Sequence, residues 1–246
     1  MLKFSNENSK TKKLRKIGEL QRFLRNRRKI YSLDLLSGWS CPGARDCMAK
    51  VVIENGKRRI RDGKHTQFRC FSASQEVLFP KLYDLRKHNL DSLRKCKSVK
   101  SMTKLVEESL PTNLGILRWH VGGGFFNRTY FKTAIEVAKN HPDKLFYAYM
   151  KNLRVLDGIK MEDPSMGVLL PNFLITASRG GKYDSLIEAL NMREAVVILE
   201  EGDATMDIDQ DDSHAATIGG SFNLLIHGTQ PAGSDAAAAV AAQRKR

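Results

Sequence analysis

The chain lacks the long apolar run and the hydrophobic leader that would carry it into or across a membrane. No stretch of its 246 residues approaches the roughly 20 uncharged apolar residues that a membrane-spanning helix needs. Residues 1–4 lead into polar sequence rather than into the apolar core of a signal peptide. The sequence therefore predicts no membrane span and a location in the cytosol.

Motifs of the common hydrolases and nucleotide-binding enzymes are also missing. No serine stands in the context of a nucleophile elbow, and no Walker motif occurs. One alternation of carboxylates lacks the central glycine and the terminal glutamate of an EF-hand. We interpret it as a solvated loop, formed by Asp207, Asp209, Asp211 and Asp212 with His214.

Acidic residues are scarce in residues 1–100, which carry 9 of them against 26 lysines and arginines, whereas the rest of the chain carries 18 against 15. The densest basic segment, residues 10–29, places Leu14, Ile17 and Leu24 at helical spacing. This pattern predicts a basic amphipathic helix that binds nucleic-acid phosphates, an acidic partner protein or an anionic membrane surface, or that packs on the main domain. The residues predicted to contact phosphates are Lys12, Lys13, Arg15, Lys16, Arg25, Arg27, Arg28 and Lys29.

Cysteine is rare, and its four positions are confined to the same basic region, at Cys41, Cys47, Cys70 and Cys96. A cytosolic chain of this size does not need disulfides, so the clustering favours metal or redox chemistry. An Asn-Gly turn within residues 51–60 predicts a β-hairpin that returns Cys70 to the loop carrying Cys41 and Cys47. We therefore predict that these three cysteines hold an iron–sulfur cluster, with Cys96 as a candidate fourth ligand.

The spacing of the cysteines leaves the nature of the metal open. Cys-x5-Cys-x22-Cys-x25-Cys fits no common zinc-ribbon or ferredoxin pattern. A cluster with three cysteine ligands keeps one iron position open, where a substrate or cofactor could bind. The alternative is a structural zinc ion held by the three cysteines together with His65 or His88.

From residue 114 onward, short apolar runs alternate with amphipathic segments, as in parallel βα units. The predicted strands cover residues 114–121, 145–149, 172–178, 195–199 and 222–226. Several such units in a row predict an α/β fold with a partial or complete (β/α) barrel; the alternative is a doubly wound open sheet. Both folds bind ligands at the carboxyl ends of their strands. There we predict a cofactor-binding site formed by His120, Gly122, Gly123, Gly124 and Arg179.

Distinct motifs are spread over the central part of the chain. They are CPGARDC at residues 41–47, FRCFSASQE at 68–76, FYAY at 146–149, ITASRGG at 175–181 and IHGTQPAGS at 226–234. Together they resemble the bacteriophage Gene Product 88 family over residues 33–235. The resemblance implies a phage protein in the cytoplasm of an infected bacterium, without an established activity. The predicted organisation is a basic helical extension at 1–32, a cluster-binding α/β domain at 33–235 and a flexible Ala-rich tail at 236–246.

The order of these parts is also similar to that of radical S-adenosylmethionine enzymes, in which three cysteines hold a [4Fe-4S] cluster whose open iron chelates the cofactor. The cysteines here lack the spacing of those enzymes, and the triple glycine lacks their acidic residue. We therefore predict a phage-encoded [4Fe-4S] protein that, if it is an enzyme, uses radical S-adenosylmethionine or redox chemistry. The alternative is a nucleic-acid-associated regulatory protein with a structural iron–sulfur or zinc site, whose basic segment contacts nucleic acid or an acidic host protein. Neither a substrate nor an oligomeric state follows from the sequence.

Overall fold

The computed structural model describes residues 1–162 and 170–245 of the chain. Two sheets occur in this part, one of seven strands and one of two. The strands are β1 (Ser5–Asn6), β2 (Lys29–Leu33), β3 (Ala49–Glu54), β4 (Lys57–Asp62), β5 (Leu114–Trp119), β6 (Leu145–Met150), β7 (Phe173–Ser178), β8 (Glu194–Ile198) and β9 (Phe222–Leu225). The helices are α1 (Gln21–Leu24), α2 (Phe71–Leu78), α3 (Pro80–Lys95), α4 (Val99–Ser109), α5 (Arg128–Asn140), α6 (Leu153–Glu162), α7 (Ser185–Ala189), α8 (Ser213–Ala216) and α9 (Asp235–Gln243).

The large sheet has the order β1-β2-β5-β6-β7-β8-β9, in which β1 is antiparallel to β2 and all other neighbours are parallel. Its parallel strands follow one another in chain order, and the edge strands β1 and β9 do not pair with each other. The predicted α/β class is therefore confirmed, as an open sheet that does not close into a barrel within the described residues. The predicted hairpin is confirmed as well, because β3 and β4 flank Asn55 and Gly56, which have φ values of 50° and 72°.

Both faces of the large sheet are buried, which explains why its strands read as continuous apolar runs. In β5, Leu117 and Trp119 pack with side chains of α3 to α7 on what we call the outer face. Ile116, the residue before Leu117, packs on the opposite, inner face, which is covered by α1, α8 and the turns at residues 11–20. The longer helices that connect the parallel strands therefore lie on the outer face.

The basic segment differs from the single amphipathic helix predicted for residues 10–29. It forms 3₁₀ turns at Thr11–Lys16 and Gly18–Leu20, then the one-turn helix α1. Asn26 and Arg27 follow in the left-handed region, with φ values of 57° and 61°, and β2 begins at residue 29. Two consecutive left-handed residues cannot continue a right-handed helix. The first 32 residues therefore supply β1 and most of β2 instead of extending from the domain as one helix.

Residues of the Ala-rich tail, predicted to be flexible, form α9. Ser234 caps this helix by accepting a hydrogen bond from the backbone N–H of Ala237 at 3.2 Å. Ala236 and Val240 are buried against Ile226. Alanine has the highest helix propensity of all residues, which favours this outcome once one face of the helix can pack. The final residue of the predicted tail, Arg246, lies outside the described residues.

The helices are too short for a membrane span. α3, with 16 residues, contains several charged side chains. In the part of the chain that the structure describes, no helix is long and apolar enough to cross a membrane. This result agrees with the prediction of no membrane span.

Candidate functional site

The carboxyl ends of the parallel strands meet residues 35–48, which we call the cysteine loop. After β7, the backbone N–H of Lys182 donates to the carbonyl of Gly43 at 2.9 Å. The same glycine lies against the end of β6, where an added Cβ would be 2.5 Å from the carbonyl oxygen of Lys151. The cysteine loop therefore crosses the end of the sheet at which ligands of α/β folds usually bind.

Three thiols come near one another in this region. Burial, followed by the charges of Cys70 and Cys47, raises the pKa of Cys41 to about 12. Burial and then the charge of Cys47 raise the pKa of Cys70 to about 11, although the backbone amides of Ser72 and Ala73 lower it. Burial also raises the pKa of Cys47. The three thiols are thus close enough to interact electrostatically, and they are protonated at neutral pH.

The prediction that Cys41, Cys47 and Cys70 hold an iron–sulfur cluster is wrong. The described residues contain no group of three or more His, Cys, Asp or Glu side chains that could hold a metal ion. A cluster requires ligand sulfurs that converge on one point, and the three thiols do not form such a group in the part of the chain that the structure describes. Proximity along the fold therefore does not amount to a ligand set here.

The remaining candidate ligands make other contacts. Cys96 follows α3, where its Sγ lies 3.8 Å from the carbonyl oxygen of Ser92. Nε2 of His88 is 2.9 Å from the carbonyl oxygen of Met1, and His65 is exposed. The zinc alternative therefore has no ligand set within the described residues either.

The triple glycine after β5 packs closely against the protein itself. A Cβ on Gly122 would lie 2.6 Å from Cζ of Arg86, and one on Gly123 would lie 2.6 Å from Oγ of Ser40. Gly124 has more room, since the nearest atom to an added Cβ is the carbonyl oxygen of Ser40 at 3.6 Å. These glycines thus allow the cysteine loop and α3 to approach the strand end. Binding of S-adenosylmethionine at this turn stays an untested prediction.

Two of the residues predicted to bind a cofactor, His120 and Arg179, have polar partners within the protein. His120 directly follows β5 and has a φ of 71°, which is uncommon for a residue other than glycine. Its Nε2 lies 2.9 Å from Oη of Tyr130. Burial and then the charge of Arg118 lower the pKa of His120 to about 3, so the imidazole is neutral at physiological pH. Arg179 pairs with Glu194, with 3.0 Å between Nη2 and Oε1.

A buried ion pair on the inner face has no counterpart among the sequence predictions. Arg118 of β5 pairs with Asp212, and the side chains are 11% and 7% exposed. The same carboxylate accepts hydrogen bonds from Oη of Tyr147 at 3.1 Å and Oη of Tyr149 at 3.3 Å. The loop interpreted as solvated is therefore partly buried. The signal for this pair is an arginine inside an otherwise apolar strand, because a buried charge requires a partner.

The N-terminal basic segment is fixed to the inner face by apolar side chains. Leu14, Leu20, Phe23 and Leu24 are buried in the same core as Phe222 of β9. The charged residues among and directly after them therefore lie on the surface of the folded domain.

The basic residues of this segment fall into two groups. Three of the eight predicted phosphate contacts lie near carboxylates: Arg15 at 2.8 Å from Glu7, Arg28 at 2.6 Å from Asp143 and Lys13 at 3.9 Å from Asp211. The other five are exposed and form no ion pair with any described carboxylate: Lys12, Lys16, Arg25, Arg27 and Lys29. We call these five the N-terminal basic surface.

Comparison with known proteins identifies one family. The family described as Gene product 88 matches residues 1–245 of the chain. The match thus includes the basic segment and the Ala-rich tail, which lie outside the stretch over which the sequence motifs resemble that family. No curated protein and no solved structure matches the chain.

Proposed function

The chain belongs to the Gene product 88 family of bacteriophage proteins, a membership that assigns no activity, and we propose that it binds nucleic acid in the cytoplasm of the infected bacterium. The N-terminal basic surface makes the contact. The observation that carries this proposal is its five exposed cations, which no carboxylate of the described chain neutralises. Such cations favour binding to nucleic-acid phosphates, because binding releases the counterions that are condensed on nucleic acid.

The local backbone supports contact with phosphates rather than with base edges. Reading bases in the major groove requires a helix or a β-ribbon long enough to enter it. This segment offers only 3₁₀ turns and the four-residue helix α1. Binding is therefore expected to be largely independent of nucleotide sequence, and to weaken steeply as salt is added.

The test changes the five cations of the N-terminal basic surface to glutamine in the full chain. Wild-type protein should bind a labelled 20-base-pair duplex, with affinity falling between about 50 and 200 mM salt. In the variant, the slope of log affinity against log salt should become shallower by about 0.9 for each phosphate that the protein no longer neutralises. Fluorescence anisotropy measures both quantities, and circular dichroism checks that the fold is unchanged.

A matched control removes the same number of exposed cations elsewhere. It changes to glutamine Lys81, Lys97, Lys100, Arg154 and Lys182, which are exposed and form no ion pair with any described carboxylate. The control should keep most of the affinity of the wild-type protein. An equal loss in both variants would show that net charge alone matters and would contradict the assignment of this surface. Absence of duplex binding by the wild-type protein at low salt would overturn the proposal itself.

A further inference from the structure

The hairpin of β3 and β4 carries a second basic surface. α2 packs against both of its strands. Val51 is buried in the core of the outer face, and the guanidinium of Arg58 lies 5.7 Å from the centre of the Tyr83 ring. Because side chains alternate across a strand, the residues at the alternate positions of the two strands lie on the opposite face of the hairpin. They are Lys50, Val52, Glu54, Lys57, Arg59 and Arg61, which we call the outward face of the hairpin.

The outward face contains four cations and one carboxylate. Lys50 and Arg61 stand directly opposite each other in the strand register, and like charges in that position destabilise a sheet. Arg61 donates to Oε1 of Glu54 at 2.6 Å, which engages the single carboxylate of this face. Lys57 and Arg59 are exposed and form no ion pair with any described carboxylate. Four cations against one carboxylate leave this face with a net positive charge, which favours an anionic ligand.

An exposed aromatic ring stands beside these cations. Trp39 is 42% exposed, and Nζ of Lys50 lies 4.5 Å from the centre of its ring. Its Nε1 donates to the carbonyl of Val51 at 2.8 Å. Gly38, with a φ of 71°, lets the chain press against β3, since a Cβ there would be 2.6 Å from that of Lys50. The indole is therefore fixed in orientation while much of its surface faces solvent.

We propose that the outward face of the hairpin binds single-stranded nucleic acid, with one base stacked on Trp39 and phosphates on the neighbouring cations. A rigid aromatic ring beside a row of cations is the arrangement that binds single strands, whose bases are free to stack on protein. The bases of a duplex stack on one another and do not reach such a ring. This inference rests on the proposed function for the class of ligand, nucleic acid. It adds a second binding surface, the hairpin, and assigns single strands to it.

The fluorescence of Trp39 allows the first test. The chain has two tryptophans, and the other, Trp119, is fully buried. Titration of the wild-type protein with a 20-nucleotide oligo(dT) should quench the emission of Trp39 saturably, at the concentrations at which anisotropy reports binding. The corresponding duplex should bind without this quenching. Binding of oligo(dT) with unchanged emission would overturn the proposal.

Substitutions provide the second test. Trp39→Ala should weaken binding of oligo(dT) by about 5- to 150-fold, the range for loss of one stacked base, and should leave duplex binding unchanged. Trp39→Phe, which keeps a ring, should retain most of the affinity. Phe79→Ala serves as the matched control, because Phe79 is 56% exposed but lies outside the outward face. Equal affinity of Trp39→Ala and the wild-type protein for oligo(dT) would contradict stacking.

The cations of the outward face are tested by salt dependence. Lys57→Gln combined with Arg59→Gln should make the slope of log affinity for oligo(dT) against log salt shallower by about 0.7 for each phosphate that is no longer neutralised. An unchanged slope would remove these cations from the interface.

Failure of this inference and failure of the proposed function give different results. If the variant of the N-terminal basic surface binds duplex normally while oligo(dT) quenches Trp39, the proposed surface is wrong and the hairpin stands. If that variant loses duplex binding while Trp39→Ala binds oligo(dT) normally, only the hairpin proposal fails. Should Trp39→Ala not fold, the quenching of wild-type emission decides alone.

Discussion

Glu76 of α2 forms a buried ion pair with Arg86 of α3. We predict that the stability of the protein gains a pH dependence when the arginine is removed, but not when the glutamate is removed. The two side chains are 0% and 1% exposed. Oε1 of Glu76 accepts hydrogen bonds from Nη1 of Arg86 at 3.0 Å and from the backbone N–H of Ser37 at 3.0 Å. The pair thus joins the cysteine loop to α2 and α3, and its loss should destabilise this end of the sheet.

Removal of the cation, as Arg86→Met, leaves the carboxyl buried without a counter-charge. Burial already raises the pKa of Glu76 despite the opposing charge of Arg86. Without that charge, burial should raise the pKa of this carboxyl further, and we expect the folded variant to keep it protonated at neutral pH. Holding this proton at pH 7 costs about 3.4 kcal/mol relative to a glutamate with the ordinary pKa of 4.5. Protonation therefore limits the electrostatic cost of the substitution to about that amount.

The sign of the pH dependence follows from proton uptake. Above the ordinary pKa of 4.5, the unfolded chain has released the proton that the folded Arg86→Met variant keeps. The free energy of unfolding of the variant therefore falls as pH rises, by about 1.36 kcal/mol per pH unit. Lowering the pH from 7 to 5 should restore stability to this variant, by up to about 2.7 kcal/mol.

Removal of the carboxylate, as Glu76→Gln, leaves a buried charge that protonation cannot neutralise. A guanidinium group cannot lose its proton within a protein, so the charge of Arg86 would remain buried without a partner. Breaking a buried pair in this way costs about 3–5 kcal/mol. Glu76 no longer titrates in this variant, so its stability should show no pH dependence from this source. The double variant leaves no unpaired charge and should cost less than the sum of the single substitutions.

Urea unfolding followed by circular dichroism at pH 5 and pH 7 measures all four proteins of this cycle. Equal slopes of free energy against urea concentration across the set confirm that the same transition is compared. An Arg86→Met variant that is no more stable at pH 5 than at pH 7, relative to the wild-type protein, would refute the reasoning.

Two further predictions concern the cysteine loop and Cys70, which lies near it. Gly43→Ala should destabilise the protein by about 1–3 kcal/mol in urea unfolding, because its Cβ would meet backbone atoms of Lys151. Gly202→Ala, whose Cβ would meet nothing within 4 Å, should change stability by less than about 0.5 kcal/mol in the same assay. Cys41 and Cys70, with pKa values raised to about 12 and 11, should react far more slowly with a disulfide reagent at pH 8 in the folded protein than in urea. Rapid labelling of both thiols before unfolding would contradict this expectation.

The central strands could be predicted from the sequence because their physical signal is local. β5 and β6 are buried on both faces, so every position favours an apolar side chain and the run stands out from its polar flanks. The same holds for the hairpin, whose Asn55-Gly56 turn needs positive φ at both residues. In these cases the residues that specify the structure lie within a few positions of one another.

β2 could not be predicted in the same way. Lys29–Leu33 adjoins the densest basic run of the chain, and the spacing of Leu14, Ile17 and Leu24 favours one continuous helix. What makes this segment a strand is its pairing with β1 on one side and β5 on the other. β5 lies more than 80 residues away in the sequence, so the determining contacts are tertiary.

The cysteines show the limit of spacing arguments at the candidate site. The hairpin between Cys47 and Cys70 does return the chain toward the cysteine loop, as its turn predicts. Whether three thiols form a ligand set depends on where each sulfur points, which residue spacing does not determine. Likewise, the triple glycine after β5 signals close approach of some group, and here the approaching groups at Gly122 and Gly123 belong to the protein itself.

The N-terminal basic segment separates the residues that fold from the residues proposed to bind. Its buried side chains, Leu14, Leu20, Phe23 and Leu24, provide the apolar contact with the inner face. The five cations of the N-terminal basic surface contribute no ion pair within the described chain, so their neutral replacement removes no native interaction of that kind. Substitutions at exposed positions without such contacts usually change stability by less than about 0.5 kcal/mol. A loss of nucleic-acid affinity at unchanged thermal stability can therefore be attributed to the surface itself.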